Sequence, residues 1–147
     1  MLERPCASCG RDAMERFAGE TFAVTHDGLR ENLSDLAGWR CAECGEVEFE
    51  PDSARRYAEA GDRLVRQARS RQQADLRRVR RKLGLSQRRA AELTGGGHNA
   101  FSRYERGETE PMPAVVNLFR LLDRHPELLD ELLVEPDRQP QPSREVS

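Results

Sequence analysis

The sequence predicts an α+β chain in two parts, a small β-rich module built around four cysteines and then an all-α domain of five helices. Three observations predict it. All four cysteines fall within residues 6–44, as two C-x-x-C pairs. Apolar residues alternate between the pairs, as in strands, and recur every three or four positions after residue 75, as in helices. Charge is segregated as well: residues 1–62 hold 7 Arg against 14 Asp and Glu, residues 63–107 hold 13 Arg and Lys against 3 Asp and Glu, and residues 108–147 hold 4 Arg against 9 Asp and Glu.

With 147 residues, 5% aromatic and 34% charged, the chain suits two small cores better than one large one. No stretch approaches the roughly 18 apolar residues of a membrane helix. The opening Met1-Leu2-Glu3-Arg4-Pro5-Cys6 lacks the apolar run of a secretory signal. The expectation is a soluble, cytoplasmic protein with no membrane partner. Thiols stay reduced there, so paired cysteines suggest metal before disulfides.

In the first module, Phe22, Val24 and His26 alternate with Thr21, Ala23 and Thr25. Asp27-Gly28 then marks a two-residue hairpin turn, since both positions tolerate positive φ. Leu29, Leu33 and Leu36 fit a strand or a helix. Val47 and Phe49 form another short alternating run. The module is read as residues 1–50. From Pro51-Asp52 to about Ala74 an Arg- and Ala-rich stretch with few apolar positions reads as a helical connector, 51–74, of the polar kind that bridges domains.

The all-α domain is read as residues 75–134. Leu76, Val79, Arg80 and Leu83 give one helix face, stopped by Gly84. Ser86 caps a second helix through its hydroxyl, and Ala90, Ala91 and Leu93 point inward. Gly95-Gly96-Gly97 separates it from a third helix, Asn99 to Arg106, which stops at Gly107. Pro113 opens a fourth helix, where its missing N–H costs nothing, with Val115, Leu118, Phe119 and Leu122 on the buried side. His125-Pro126 leads into a short fifth helix with Leu128, Leu129, Leu132 and Leu133. Residues 135–147 carry three prolines and almost nothing apolar, the pattern of a disordered tail.

Cys6-Ala7-Ser8-Cys9-Gly10 and Cys41-Ala42-Glu43-Cys44-Gly45 are two C-x-x-C-G units. Two intervening residues let the backbone turn so that both sulfurs aim at one point, and the glycine accepts a left-handed conformation. Two such turns supply four thiolates, the donor set of a structural, tetrahedral Zn²⁺ with no position open to water. Some fifty residues with few aromatics need such help to fold. Four cysteines are open to an iron–sulfur cluster as well. A redox role would need only one pair. His26, His98 and His125 are not required as ligands.

The third helix is two-faced. At ~100° per residue, with Asn99 at zero, Arg103 falls at about 40°, Ser102 at about 300° and Arg106 at about 340°. Ala100, Tyr104 and Phe101 fall at about 100°, 140° and 200°, on the other side. The aromatic side would pack inward and leave Asn99, Ser102, Arg103 and Arg106 outward. Asn pairs in a bidentate way with adenine, and Arg with guanine, in the major groove. Supporting candidates are Gln87 and Arg88 at the start of the second helix, and His98 in the turn before the third. Arg77, Arg78, Arg81, Lys82 and Arg89 are further candidates for phosphate, whereas Arg80 is read as solvated. The basic middle of the chain suits a polyanion.

These residues resemble a known family. Leu85-Ser86-Gln87-x-x-Ala90-Ala91 followed by Phe101-Ser102-x-Tyr104-Glu105-x-Gly107 resembles the lambda-repressor-like (XRE) helix-turn-helix. The run Gly95 to Gly107, with Leu121-Leu122-Asp123-Arg124-His125-Pro126-Glu127-Leu128-Leu129 and the two cysteine pairs ahead, is similar to the MqsA-type (YgiT-type zinc finger) antitoxins over roughly residues 5–133. The resemblance implies a non-enzymatic antitoxin of a type II toxin–antitoxin system. Its zinc domain would bind a RelE-like ribonuclease toxin of the MqsR kind. Its helix-turn-helix domain would form a homodimer and repress its own operon on palindromic double-stranded DNA. It also implies base reading by Asn99 and Arg103 and zinc ligation by Cys6, Cys9, Cys41 and Cys44. The chain departs from the pattern in its Arg-rich connector, its Pro-rich tail and a zinc module that matches little beyond the cysteines. The rival reading is a stand-alone zinc-ribbon helix-turn-helix regulator without a toxin. An acidic first module favours the toxin, because a protein that cuts RNA is expected to be basic and opposite charge speeds encounter.

Overall fold

Asp27 and Gly28 both adopt positive φ, 47° and 76°, and close the hairpin between β1 (Met14–His26) and β2 (Leu29–Cys41). The computed structural model describes residues 4–133; the expected tail, 135–147, lies outside them. β3 (Val47–Phe49) adds to β2, giving an antiparallel sheet of order β1-β2-β3. The fold is thus α+β: an N-terminal three-stranded sheet beside a cluster of four cysteines, then helices.

Two compensating bulges shape the hairpin. Between Phe17 and Glu20 three steps of β1 run against two of β2, and between Glu20 and Phe22 two steps run against three. Gly19 (φ 72°) and Asp35 (φ 57°) are the left-handed residues that absorb them. The second bulge puts Leu33 and Leu36 on one face at a spacing that imitates a helix. The strand is the correct alternative for this stretch.

The sheet's inner face packs on the start of α1 (Pro51–Lys82). Val24 joins Ala60 and Leu64 in a small core, with Leu29, Leu33 and Tyr57 at its edge. The Oγ of Ser53 accepts from the Ala37 N–H at 2.9 Å, and Arg56 donates to the Ser34 and Asp35 carbonyls at 2.8 and 2.9 Å. Gly38 sits opposite Phe17 and Phe49 in the sheet. A Cβ there would meet the Glu48 carbonyl oxygen at 2.2 Å, so only glycine fits.

The chain divides into two compact units between Arg71 and Gln72. That point lies inside α1, which runs unbroken where the sequence suggested a connector ending at Ala74 and a new helix from Asp75. In the second unit, α1 is followed by α2 (Gln87–Leu93), α3 (Ala100–Glu105), α4 (Pro113–Arg124), a 3-10 turn (Pro126–Leu128) and α5 (Leu129–Leu133). Their core gathers Leu76, Val79, Leu85, Ala90, Ala91, Phe101, Val115, Phe119, Leu122 and Leu129. Among the described residues no helix is long and apolar enough to cross a membrane.

Candidate metal centre and nucleic-acid interface

The two cysteine pairs, distant in sequence, meet at one end of the sheet. Cys41 closes β2 and pairs in register with Met14 at the start of β1. Ala42 donates to the Ala13 carbonyl at 2.9 Å, which draws the first pair alongside the second. Each pair folds into the same turn: Gly10 donates to the Cys6 carbonyl at 2.8 Å and Gly45 to the Cys41 carbonyl at 2.9 Å. The two glycines have φ of 73° and 77°, which a side chain would resist.

The four Sγ atoms lie within 4.8 Å of one another, and Cys6–Cys44 and Cys9–Cys41 are each 3.7 Å apart. That is far beyond a disulfide of about 2.05 Å, and all four are free. Thiolates at about 2.3 Å from a tetrahedral ion stand about 3.8 Å from each other, so two opposite edges of such a tetrahedron already have that length. Their ionisation points the same way. The Cys44 backbone N–H lowers the Cys41 thiol to about 7 against its burial. At Cys44 the Glu46 backbone N–H also pulls down, but burial and the sulfurs of Cys9, Cys41 and Cys6 outweigh it and push that thiol up to about 12. Four sulfurs this close resist carrying four negative charges unless a cation sits among them. They form a metal-binding cluster.

In the second unit, Ser86 caps α2, its Oγ accepting from the Arg89 N–H at 3.0 Å. α2 and α3 are separated by the glycine-rich turn. Phe101 is fully buried, 5.1 Å from the Phe119 ring and 5.6 Å from that of Tyr104. Asn99 occupies the N-cap position of α3, is exposed, and makes no capping bond with its side chain. Arg103 and His98 are exposed, and Ser102 is half-buried. Arg106 is exposed but engaged: it donates to the Ser102 Oγ at 2.6 Å and pairs with Glu108 at 2.8 Å. Arg88 faces solvent and pairs loosely with Glu92 at 3.3 Å. Gln87 is half-buried, its Nε2 donating to Glu105 at 2.9 Å.

A family model for the antitoxin component of bacterial toxin–antitoxin systems, MqsA, matches residues 4–133. The chain belongs to the MqsA antitoxin family. It is similar to Antitoxin MqsA of Escherichia coli (strain K12), 56% identical over 55 residues, 37% of this chain and 42% of that one. It is also similar to the HTH-type transcriptional regulator PuuR of Escherichia coli (strain K12) and of Shigella flexneri, each 40% identical over 67 residues, 46% of this chain and 35% of the relative. The chain thus spans less than half the length of these curated relatives.

In this MqsA-family chain, one sequence expectation is overturned. Arg80 is not solvated: it is 9% exposed and buried against Glu105. Its Nη1 donates to the Leu85 carbonyl at 2.8 Å and its Nη2 to Glu105 at 3.1 Å. An arginine on an otherwise apolar helix face was the signal for this pair, since a charge placed there needs a buried partner. Glu105 is one of three acids in the strongly basic block 63–107, so few partners were open to such an arginine there. Burial raises the Glu105 carboxyl, but hydrogen bonds from Arg80 and Gln87 outweigh it and hold it below its ordinary value.

Proposed function

We propose that this protein is the antitoxin of a type II toxin–antitoxin pair. It binds a basic RelE-like ribonuclease toxin of the MqsR kind through its N-terminal module, and represses its own operon by reading a palindromic operator with α3. The observation that carries the reading is the sidedness of α3. Phe101 is sunk in the core while Asn99 and Arg103 face solvent. This helix can therefore enter a groove without giving up its packing, and it offers the amide and guanidinium groups that recognise adenine and guanine edges.

The cysteine cluster binds Zn²⁺ as a structural ion, on the fit of its 3.7 Å sulfur separations. Bound there, the ion ties the start of β1 to the end of β2. The protein acts as a homodimer: Val115, Val116, Phe119, Leu122 and Leu129 are used inside the unit, whereas Leu121 and Leu132 stay 48% and 44% exposed and form the seam. No residue has a catalytic role in this account.

The test is to co-express the full chain with the small basic protein encoded beside it, and to titrate the purified chain onto duplex DNA from its own upstream region. A stable complex and a preference for that duplex over an unrelated one support the antitoxin. DNA preference without a complex leaves a stand-alone regulator. No preference removes the repressor.

A further inference from the structure

On the reading that α3 enters a groove of duplex DNA, cations elsewhere on the unit must meet the flanking phosphates. The last turns of α1 carry five: Arg77, Arg78, Arg80, Arg81 and Lys82. The sequence treats four of them alike, as candidates for phosphate, but the structure divides the group. Arg78 pairs with Asp123 at 2.9 Å and with Asp75 at 3.5 Å, and Lys82 reaches the same Asp123 at 2.9 Å. Arg80 is spent on Glu105. Arg77 and Arg81 are exposed and have no carboxylate within 4 Å among the described residues.

Their position follows from the helix. At ~100° per residue, Arg78 and Lys82 point towards α4, Arg80 points towards α2 and α3, and Arg77 and Arg81 fall in the open arc between them. Arg77 is nearer the α3 side, where its charge helps to lower the Glu105 carboxyl. In the turn before it, the Gln73 side chain lies against Gly107, just past the end of α3. Arg77 and Arg81 are also four residues apart on one face. Like charges at that spacing destabilise a helix unless an anion lies across them.

We propose that Arg77 and Arg81 form a phosphate-binding edge on α1 that holds the sugar–phosphate backbone of duplex DNA beside the groove taken by α3. Arg78, Arg80 and Lys82 are equally basic by type but serve the fold instead. The contact carries no base information, so it strengthens binding to any duplex.

The experiment is fluorescence anisotropy on two duplexes of equal length, one from the DNA upstream of the coding sequence and one unrelated, over roughly 50–200 mM salt. Each neutralised phosphate contributes about 0.9 to the slope of log K against log salt. Arg77→Gln/Arg81→Gln should therefore make the slope shallower by about 1.8 on both duplexes and leave the ratio of the two affinities unchanged. The Lys/Lys variant should keep the wild-type slope, and Arg78→Gln should leave it unaltered. Arg77 and Arg81 are exposed, so a wild-type melting temperature for the Gln/Gln and Lys/Lys variants establishes that their fold is intact; Arg78→Gln gives up Asp123 and should melt lower, and a wild-type circular dichroism spectrum is its control. A wild-type slope in the Gln/Gln variant overturns the proposal, as does an equal loss in Arg78→Gln. If the wild type shows no preference for the upstream duplex, base reading by α3 fails, while the slope on the unrelated duplex still decides the roles of Arg77 and Arg81.

Discussion

The guanidinium of Arg80 and the carboxylate of Glu105 are packed together inside the C-terminal unit, joining α1 to the end of α3. Their side chains are only 11% and 5% exposed. Glu105 also accepts from Gln87 at the start of α2, so one carboxylate ties three helices together. Among the described residues no buried side-chain polar atom lacks a partner. The pair therefore fixes how α2 and α3 lie against α1, which in turn fixes the direction in which Asn99 and Arg103 point.

Removing either partner strands the other charge in the core. Arg80→Ala or Glu105→Ala should lower the unfolding free energy by about 3–5 kcal/mol. Replacing both by apolar residues of similar size, Arg80→Met with Glu105→Leu, should recover most of it, because neither charge is then left unpaired. Urea unfolding followed by circular dichroism measures this. Single variants that unfold at the wild-type midpoint would show that the pair contributes nothing.

The same carboxylate makes the unit acid-sensitive. Glu105 lies below its ordinary value for the reasons given above, and Asp123 is held far below the carboxylate range by hydrogen bonds from Arg78 and Lys82. A folded-state pKa below the unfolded one adds stability that is complete above the unfolded value, and that stability is lost as pH falls through the folded value. Unfolding midpoints should stay flat from about pH 7 to 5 and drop below about pH 4. Asp123→Asn should start lower and lose less on acidification. An Asp123→Asn curve parallel to wild type would remove Asp123 from this account.

Gly38→Ala should damage the sheet. The new methyl would press on the Glu48 carbonyl oxygen, the Phe49 Cα and the Phe17 ring at once. Two of those atoms are backbone and cannot rotate away, so β3 must separate from β2. A loss of about 2 kcal/mol or more is expected, with amide exchange at Val47–Phe49 rising first. Unchanged exchange there would mean that the strands can spread to admit the methyl.

Much of this was legible in the sequence, and the exceptions have physical causes. Asp27-Gly28, the C-x-x-C-G turns and Ser86 are local devices whose chemistry acts within a few residues, and each forms as its residues demand. Leu29, Leu33 and Leu36 were ambiguous because a bulge at Asp35 is invisible to simple alternation. β1 begins at Met14, well before the alternating run at Thr21, because Gly19 interrupts the pattern with a bulge. The outward face of α3 was readable from spacing, but the burial of Arg80 depends on Glu105, 25 positions away. Spacing along one helix says nothing about a partner on another.

Metal removal should act locally. The sulfurs join the two ends of the hairpin, and metal binding can contribute roughly 10 kcal/mol or more to a small fold. Cys41→Ser, or chelation of the wild type, should broaden the signals of residues 4–50 in a ¹H–¹⁵N NMR spectrum and leave those of Leu85–Leu122 in place. Elemental analysis of the intact protein should find one Zn²⁺ per chain. Loss of signals across both units on chelation would mean that the metal supports the whole chain.

The outward residues of α3 should not contribute equally to base reading. Asn99 has no capping bond to give up, and the Arg103 guanidinium has no hydrogen-bonded partner among the described residues. Arg106 must first leave Glu108 and Ser102. Asn99→Ala and Arg103→Ala should each cost about 1–3 kcal/mol on the upstream duplex and relax its preference over a scrambled one. Arg106→Ala should cost less and leave the preference unchanged. Competition binding against single-base variants of the duplex separates these outcomes. If Arg106→Ala relaxes the preference as much as Arg103→Ala, its bonds to Glu108 and Ser102 are broken on the DNA, and the reading face extends to the end of the helix.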